Sequence, residues 1–125
     1  MPIASSLLNK PRLVKKLKDF YDYVNKNDGK VGRKTRGIDL NFNNACNLRC
    51  KYCFTNSPKG DHVKEYLDIG AIAKLADEAD ELGYFEFDLQ GGELLLQPKK
   101  LFQVLEAIKP ERFYMYLTTN GYYLD

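Results

Sequence analysis

Three short runs of alternating apolar and polar residues predict β-strands. They lie at residues 37–42, 84–90 and 113–118. Strict alternation is the period of a strand that buries one face. The apolar positions of the first two runs are Ile38, Leu40, Phe42, Phe85, Phe87 and Leu89. We expect these side chains to face the helices that connect the strands.

Apolar residues spaced three and four apart predict three helices, at residues 11–26, 68–82 and 97–109. Asp68 is the expected N-cap of the second helix, and Gly83 follows its last turn. The first helix carries an apolar stripe, which must pack against the outside or the bottom of the domain that follows.

The order of elements predicts an α/β fold, because strands that alternate with helical crossovers form a parallel sheet with right-handed connections. The second face of this sheet is polar. Its residues are Asp39, Asn41, Glu86, Asp88 and Gln90, joined in the third strand by Tyr116, Thr118 and Asn120. Such a face suits an open, partly hydrated cavity that receives a polar substrate. The alternative is a face that meets only water.

The charge is unevenly distributed along the chain. Residues 1–36 hold ten Lys or Arg against three Asp, whereas the remainder holds nine against fourteen Asp or Glu. A basic segment of this kind can bind an anionic partner, or it can be a helix whose lysines face water. The sequence contains no run of apolar residues long enough for a membrane helix and no signal peptide.

All three cysteines lie in the segment Phe42–Phe54, FNNACNLRCKYCF, directly after the first predicted strand. Cys46, Cys50 and Cys53 have the spacing C-x3-C-x2-C, and a short loop can bring three thiolates to one metal centre. Three ligands are one fewer than a closed zinc site or a fully ligated iron–sulfur cluster needs, which leaves a position for catalysis. His62 could complete a Cys3His zinc site instead. An odd number of clustered cysteines indicates a reducing cytoplasm rather than a disulfide framework.

Two further motifs end the other strands: Gln90-Gly91-Gly92-Glu93 and Thr118-Thr119-Asn120-Gly121. Together with the cysteine spacing and the aromatic Tyr52, they resemble the radical S-adenosylmethionine (radical SAM) superfamily over residues 37–125. The resemblance implies the parallel βαβαβ portion of a partial (β/α)6 barrel. Residues 1–36 would then be a basic N-terminal helical extension and linker.

The resemblance also implies the cofactors. Cys46, Cys50 and Cys53 would bind three irons of a [4Fe–4S] cluster, and the fourth iron would chelate S-adenosylmethionine. Reductive cleavage would release a 5′-deoxyadenosyl radical that abstracts hydrogen from a substrate. An electron donor such as flavodoxin or ferredoxin is implied. The substrate classes left open are a peptide, a small metabolite such as a sugar or nucleotide, and a glycyl-radical enzyme.

The same resemblance assigns the remaining site residues. Gly91 and Gly92 lack Cβ, so the backbone can approach a ligand and adopt dihedrals that other residues resist. Glu93 would accept a hydrogen bond from the methionine ammonium group. The plainer alternative is that Gly-Gly merely ends a strand and Glu93 is a surface acid. Leu94 stands where the family often has Pro, which puts the shape of this loop in question.

Tyr52 would lie near the adenine, while Thr118 and Asn120 would contact the nucleoside or the substrate. Alternatively, Tyr52 and Phe54 fold the cysteine segment onto the domain, and Asn-Gly is a plain turn.

Three strands make half of the expected barrel. We therefore expect the remaining strands to come from a longer chain or from a second polypeptide, since the third strand would otherwise be an open edge. Two hypotheses in which the chain is not a catalyst also stay open: an iron–sulfur electron-transfer module and a zinc-stabilised binding module.

Overall fold

The computed structural model describes residues 9–55 and 67–124. Its strands are β1 (Gly37–Asn41), β2 (Glu86–Gln90) and β3 (Tyr114–Leu117). Its helices are α1 (Pro11–Lys26), α2 (Ile69–Glu81) and α3 (Pro98–Ile108), with short 3-10 helices at Leu94–Leu96 and Pro110–Arg112. The strands are parallel in the order β1-β2-β3, which confirms the predicted α/β fold. Across these two ranges, no helix is both long and apolar enough to cross a membrane.

The helix ends follow the capping signals in the sequence. Asp68 caps α2, and its Oδ2 accepts a hydrogen bond from the backbone N–H of Ala71 at 2.8 Å. Gly83 follows the helix with a φ of +83°, a conformation that favours glycine. At the end of α3, Lys109 is left-handed, and Pro110 prevents a further helical turn.

The main core lies between α2, α3 and one face of the sheet. Its buried members are Leu40, Phe42, Ile72, Ala76, Ala79, Phe87, Leu89, Leu94, Leu101, Val104, Ile108 and Phe113. Leu40, Phe87 and Leu89 confirm the strand alternation predicted for this face. Leu94 begins a 3-10 helix that the sequence pattern did not predict, and its burial ties the segment after β2 to the core.

Helix α1 packs at the end of the sheet where the strands begin, as its apolar stripe predicted. Leu13, Phe20 and Phe85 form a second buried cluster there, with the rings of Phe20 and Phe85 5.1 Å apart and edge to face. Lys10 Nζ donates to the backbone oxygens of Pro110 and Phe113 at 2.9 and 3.0 Å. The expectation that Phe85 packs on the connecting helices was wrong, because α1 covers this position instead.

A buried ion-pair network attaches α1 to α2. Lys16 Nζ lies 2.8 Å from Asp80 Oδ1, and both side chains are less than a tenth exposed. Arg12 also bonds to Asp80, while Arg112 pairs with Asp77 at 2.8 Å and lies 3.7 Å from Asp80. Burial acts to raise the pKa of Asp80, but hydrogen bonds from Lys16 and Arg12 outweigh it and hold that pKa below the ordinary 3.8.

We expect this network to make stability depend on acidity. A carboxyl whose folded-state pKa is lowered stabilises the fold above its unfolded pKa and loses that contribution as the pH falls through the folded value. The free energy of unfolding should therefore decrease as the pH falls below 3.8. Urea titrations at several pH values should show this decrease in the unchanged chain and a smaller one in Asp80→Asn. Asp22→Asn is the matched control and should keep the acid slope of the unchanged chain, since Asp22 pairs with Lys18 only at the surface of α1.

Candidate functional site

The cysteine loop, residues 42–55, leaves the carboxyl end of β1. Cys46 and Cys53 are half-buried, Cys50 is exposed, and none of them forms a disulfide. Cys46 Sγ accepts a hydrogen bond from the N–H of Leu48 at 3.4 Å, and Cys53 Sγ lies 3.1 Å from Thr55 Oγ1. The three thiols thus lie on one accessible loop at the end of the sheet where parallel α/β folds place their sites.

In the two ranges that the structure describes, no three His, Cys, Asp or Glu side chains are gathered closely enough to hold a metal ion. Convergence of Cys46, Cys50 and Cys53 on one centre therefore stays a prediction from the sequence. His62, the residue that would complete a zinc site, lies outside the described residues.

The Gly91-Gly92 pair lies against the backbone of the cysteine loop. Gly92 N–H donates to Asn43 O at 3.1 Å, and Glu93 N–H donates to Ala45 O at 2.7 Å. A Cβ on Gly92 would lie 2.7 Å from Asn44 O and closer still to Ala45 O. The glycines thus permit a close approach between two protein segments. Neither has a positive φ, so the expectation that they adopt dihedrals restricted for other residues was wrong.

Glu93 is fully buried, so the alternative that it is a surface acid was wrong. Its Oε1 accepts hydrogen bonds from Leu95 N–H at 2.8 Å and from the Thr119 hydroxyl at 2.7 Å. Its Oε2 accepts from Asn120 N–H at 2.7 Å. One carboxylate therefore joins the segment after β2 to the turn after β3.

The turn after β3 also reaches the cysteine loop. Asn120 Nδ2 donates to Asn47 Oδ1 at 2.9 Å, and Asn120 Oδ1 accepts from the N–H of Tyr122 at 3.0 Å. Thr118 is exposed, and its hydroxyl lies 3.4 Å from Asp88 Oδ1 on the polar face. The structure thus places Glu93 and Asn120, but not Thr118, in the hydrogen-bond network that joins the three motifs.

The two aromatic residues of the cysteine loop point into solvent. Tyr52 is 90% exposed and Phe54 is 83% exposed. The alternative that they fold the loop onto the domain was therefore wrong. Both side chains are available to a ligand or to a further part of the protein.

The polar face of the sheet carries an open pocket. Asp39, Asp88 and Tyr116 are adjacent in the strand register and line it, together with the ion pair between Arg36 and Glu86 at 2.8 Å. Loss of hydration and the Glu86 carboxylate raise the pKa of Tyr116, so its phenol stays protonated at neutral pH. This pocket supports the predicted cavity on the polar face.

Three residues of the hydrogen-bond network that joins the cysteine loop, Gly91–Glu93 and the turn after β3 were not predicted from the sequence: Asn43, Asn47 and Thr119. Asn43 is buried, and its Oδ1 accepts from Gly92 N–H at 3.3 Å. The sequence could have indicated Asn47 because it directly follows Cys46. It could have indicated Thr119 because it lies between Thr118 and Asn120, which were both predicted site residues. A side-chain amide or hydroxyl has no periodic pattern, so its partner across the fold is not readable from the sequence.

Comparison with known proteins identifies the family. Residues 40–125 match the family model of the radical SAM superfamily, which is more than half of the chain. The chain belongs to the radical SAM superfamily. No solved structure matches it.

Three curated relatives have informative names. A probable GTP 3′,8-cyclase of Methanocaldococcus jannaschii is 35% identical over 99 residues, which are 77% of this chain and 32% of the relative. A GTP 3′,8-cyclase of Psychromonas ingrahamii is 33% identical, covering 74% of this chain and 28% of the relative. A Methanocaldococcus jannaschii protein named as a glycyl-radical enzyme activating enzyme is 35% identical, covering 64% and 30%. The chain spans about a third of the length of these radical SAM relatives.

Membership of the radical SAM superfamily implies a [4Fe–4S] cluster and S-adenosylmethionine as cofactors. The three parallel strands with their helices are consistent with part of a radical SAM barrel.

Proposed function

We propose that residues 37–125 form the part of a radical SAM enzyme that binds the iron–sulfur cluster and S-adenosylmethionine, and that residues 1–36 are an extension outside the barrel. The observation that carries this proposal is the set of hydrogen bonds linking the cysteine loop, Gly91–Glu93 and the turn after β3. The three linked segments carry the three motifs of the family resemblance, and they meet at the carboxyl end of one parallel sheet.

In their donor chemistry, the three cysteines suit a cubane cluster with one open iron, although the described structure does not gather them at one centre. Cys46, Cys50 and Cys53 would hold three irons, because thiolates are the soft, anionic ligands that iron–sulfur clusters require. None of the three forms a disulfide; Cys46 and Cys53 are half-buried and Cys50 is exposed. Asn43 Nδ2 is buried and has no partner among the described residues. An unpaired buried donor is unfavourable, so this amide suits an acceptor that binds beside the loop. When bound, the cluster supplies the electron that cleaves S-adenosylmethionine.

The proposed S-adenosylmethionine contacts are Tyr52, Gly91, Gly92, Glu93, Thr118 and Asn120. A carboxylate offers about four acceptor positions. Three donors already occupy Glu93, and the side chain is fully buried, so its fourth acceptor position is open to the ammonium group of the methionine part only after a covering segment moves. The exposed ring of Tyr52 is available to stack on an adenine. In this scheme, the role of Glu93 is both to hold the turn after β3 and to bind the cofactor.

For the substrate, the names of the two GTP 3′,8-cyclases favour a nucleotide, which belongs to the small-metabolite class, whereas the third relative's name favours a glycyl-radical enzyme. The carboxylates and the protonated phenol of the polar-face pocket provide hydrogen-bond acceptors and a donor for a polar molecule such as a nucleotide. We propose that the rest of the barrel, which completes this pocket, comes from a longer chain or a second polypeptide. An electron donor such as flavodoxin or ferredoxin would reduce the cluster.

Anaerobic loading of this chain with iron and sulfide tests the proposal at the level of binding. We expect about four irons per chain and a brown colour. Electron paramagnetic resonance of the reduced protein should change when S-adenosylmethionine is added. Cys50→Ala should lose the intact cluster, and His62→Ala should retain it, because the histidine is not a ligand in this proposal.

Two other results of the same loading experiment would identify a zinc module or an electron carrier instead. Stoichiometric zinc that is lost in both Cys50→Ala and His62→Ala would identify a Cys3His zinc module. A four-iron cluster whose resonance is unaffected by S-adenosylmethionine would identify an electron carrier.

A further inference from the structure

The amide pair Asn47–Asn120 connects parts of the chain that are far apart in sequence. Asn47 directly follows Cys46, and its Oδ1 accepts from Asn120 Nδ2 at 2.9 Å across 73 positions. Asn120 is itself fixed on both sides: its N–H donates to Glu93 Oε2, and its Oδ1 accepts from Tyr122 N–H. Since this second bond occupies Oδ1, the NH2 group of Asn120 must face Asn47. The bond therefore has one direction, with Asn47 as the acceptor.

The centre of the cysteine loop has mostly local bonds besides this one. Leu48 N–H donates to Cys46 Sγ, and Cys53 N–H donates to Cys50 O at 3.2 Å. Residues 48–52 are all exposed, so packing does not fix their conformation. On the N-terminal side, backbone bonds from Gly92 and Glu93 hold Asn43 and Ala45. The Asn47 side chain adds an attachment on the far side of Cys46, and it links the cysteine loop to the turn after β3.

We infer that Asn47 is a positioning residue that holds Cys46 and the start of the cysteine loop against the turn after β3. It acts through Cys46, and its relevance to iron binding rests on the proposed function. A loop that is already attached loses less conformational entropy when its thiolates bind a metal. Partners that orient metal ligands typically change metal affinity by about 10–100-fold when they are removed.

Site-resolved alkylation of the iron-free chain tests the attachment without using the cofactor. The rate at Cys46 is read by peptide mass spectrometry and divided by the rate in the same variant unfolded in urea, which cancels local effects on thiol reactivity. Losing a hydrogen bond worth about 1 kcal/mol should raise this ratio about fivefold in Asn47→Ala. Asn120→Ala should give at least the same increase, because it removes the NH2 donor together with the oxygen that accepts from Tyr122 N–H.

Two variants show whether the effect belongs to this one bond. Asn47→Asp keeps an acceptor oxygen and should stay within about twofold of the unchanged chain. The double variant Asn47→Ala with Asn120→Ala should react no faster than Asn120→Ala alone, because both substitutions remove the same interaction. Asn44→Ala is the matched control in the same loop. The inference is overturned if Asn47→Ala reacts like Asn44→Ala, or if Asn47→Asp reacts as fast as Asn47→Ala.

Iron release to a chelator from the loaded chain then tests the consequence for the cluster. We expect release to be about tenfold faster in Asn47→Ala and near the unchanged rate in Asn47→Asp. Equal release in Asn47→Ala and the unchanged chain would overturn the role in iron binding. Failure of the unchanged chain to take up iron would instead refute the proposed function, and the alkylation ratios would still decide the attachment.

Discussion

Gly92→Ala is expected to lower the free energy of unfolding by about 3 kcal/mol. The added methyl group would lie 2.7 Å from Asn44 O and closer to Ala45 O, and both neighbours are backbone atoms that cannot rotate away. The hydrogen bonds from Gly92 and Glu93 to the cysteine loop must then lengthen or break. Urea denaturation measures the stability, and iron content after anaerobic loading measures the loss of a correctly placed loop.

Gly29→Ala is the control for this substitution. Gly29 has a φ of +76° and no atom within 4 Å of an added Cβ, so only backbone strain of about 1 kcal/mol is expected there, with normal iron loading. If Gly92→Ala were no less stable than Gly29→Ala, the close contact between the two segments would not exist in solution.

Glu93→Gln should destabilise the chain by about 2 kcal/mol. The carboxylate accepts hydrogen bonds at both oxygens, including one from the Leu95 N–H and one from the Asn120 N–H. An amide replaces one of these acceptors by an NH2 donor, and in either orientation that donor meets a backbone N–H. Because the side chain is fully buried, water cannot satisfy the group that is left unpaired.

The comparison for Glu93→Gln is Glu86→Gln, which removes a carboxylate that pairs with the exposed Arg36. Surface pairs of this kind contribute up to about 1 kcal/mol, so this variant should remain close to the unchanged chain in urea denaturation. An equal effect of the two substitutions would show that Glu93 does not hold the turn after β3.

The elements of the fold were predictable because each has a local signal. The alternation in β1 and β2, the Asp68 cap and Gly83 act within a few residues, and the structure places all of them within one or two residues of the prediction. The 3-10 helix Leu94–Leu96 was missed. Its N-terminal cap is Glu93, which the sequence had assigned to a cofactor, and three consecutive leucines show no period.

The sequence predicted the motifs of the candidate site but not the hydrogen bonds that join them. Cysteine spacing and the Gly-Gly-Glu sequence identify the segments, but the partners of Glu93 are Thr119 and Asn120, 26 and 27 residues away. Likewise, nothing local to Phe85 indicates that α1 covers it. Such contacts depend on where the whole sheet places each strand end.

The bonds from Gly92 and Glu93 to the cysteine loop have a consequence for the order of events during synthesis. The segment that would receive iron is made early, but the backbone that aligns it follows about 40 residues after Cys53, and Asn120 later still. A nascent chain that ends before β2 therefore displays its cysteines on an unaligned loop. Iron insertion should be a late step of maturation, after translation of the third motif.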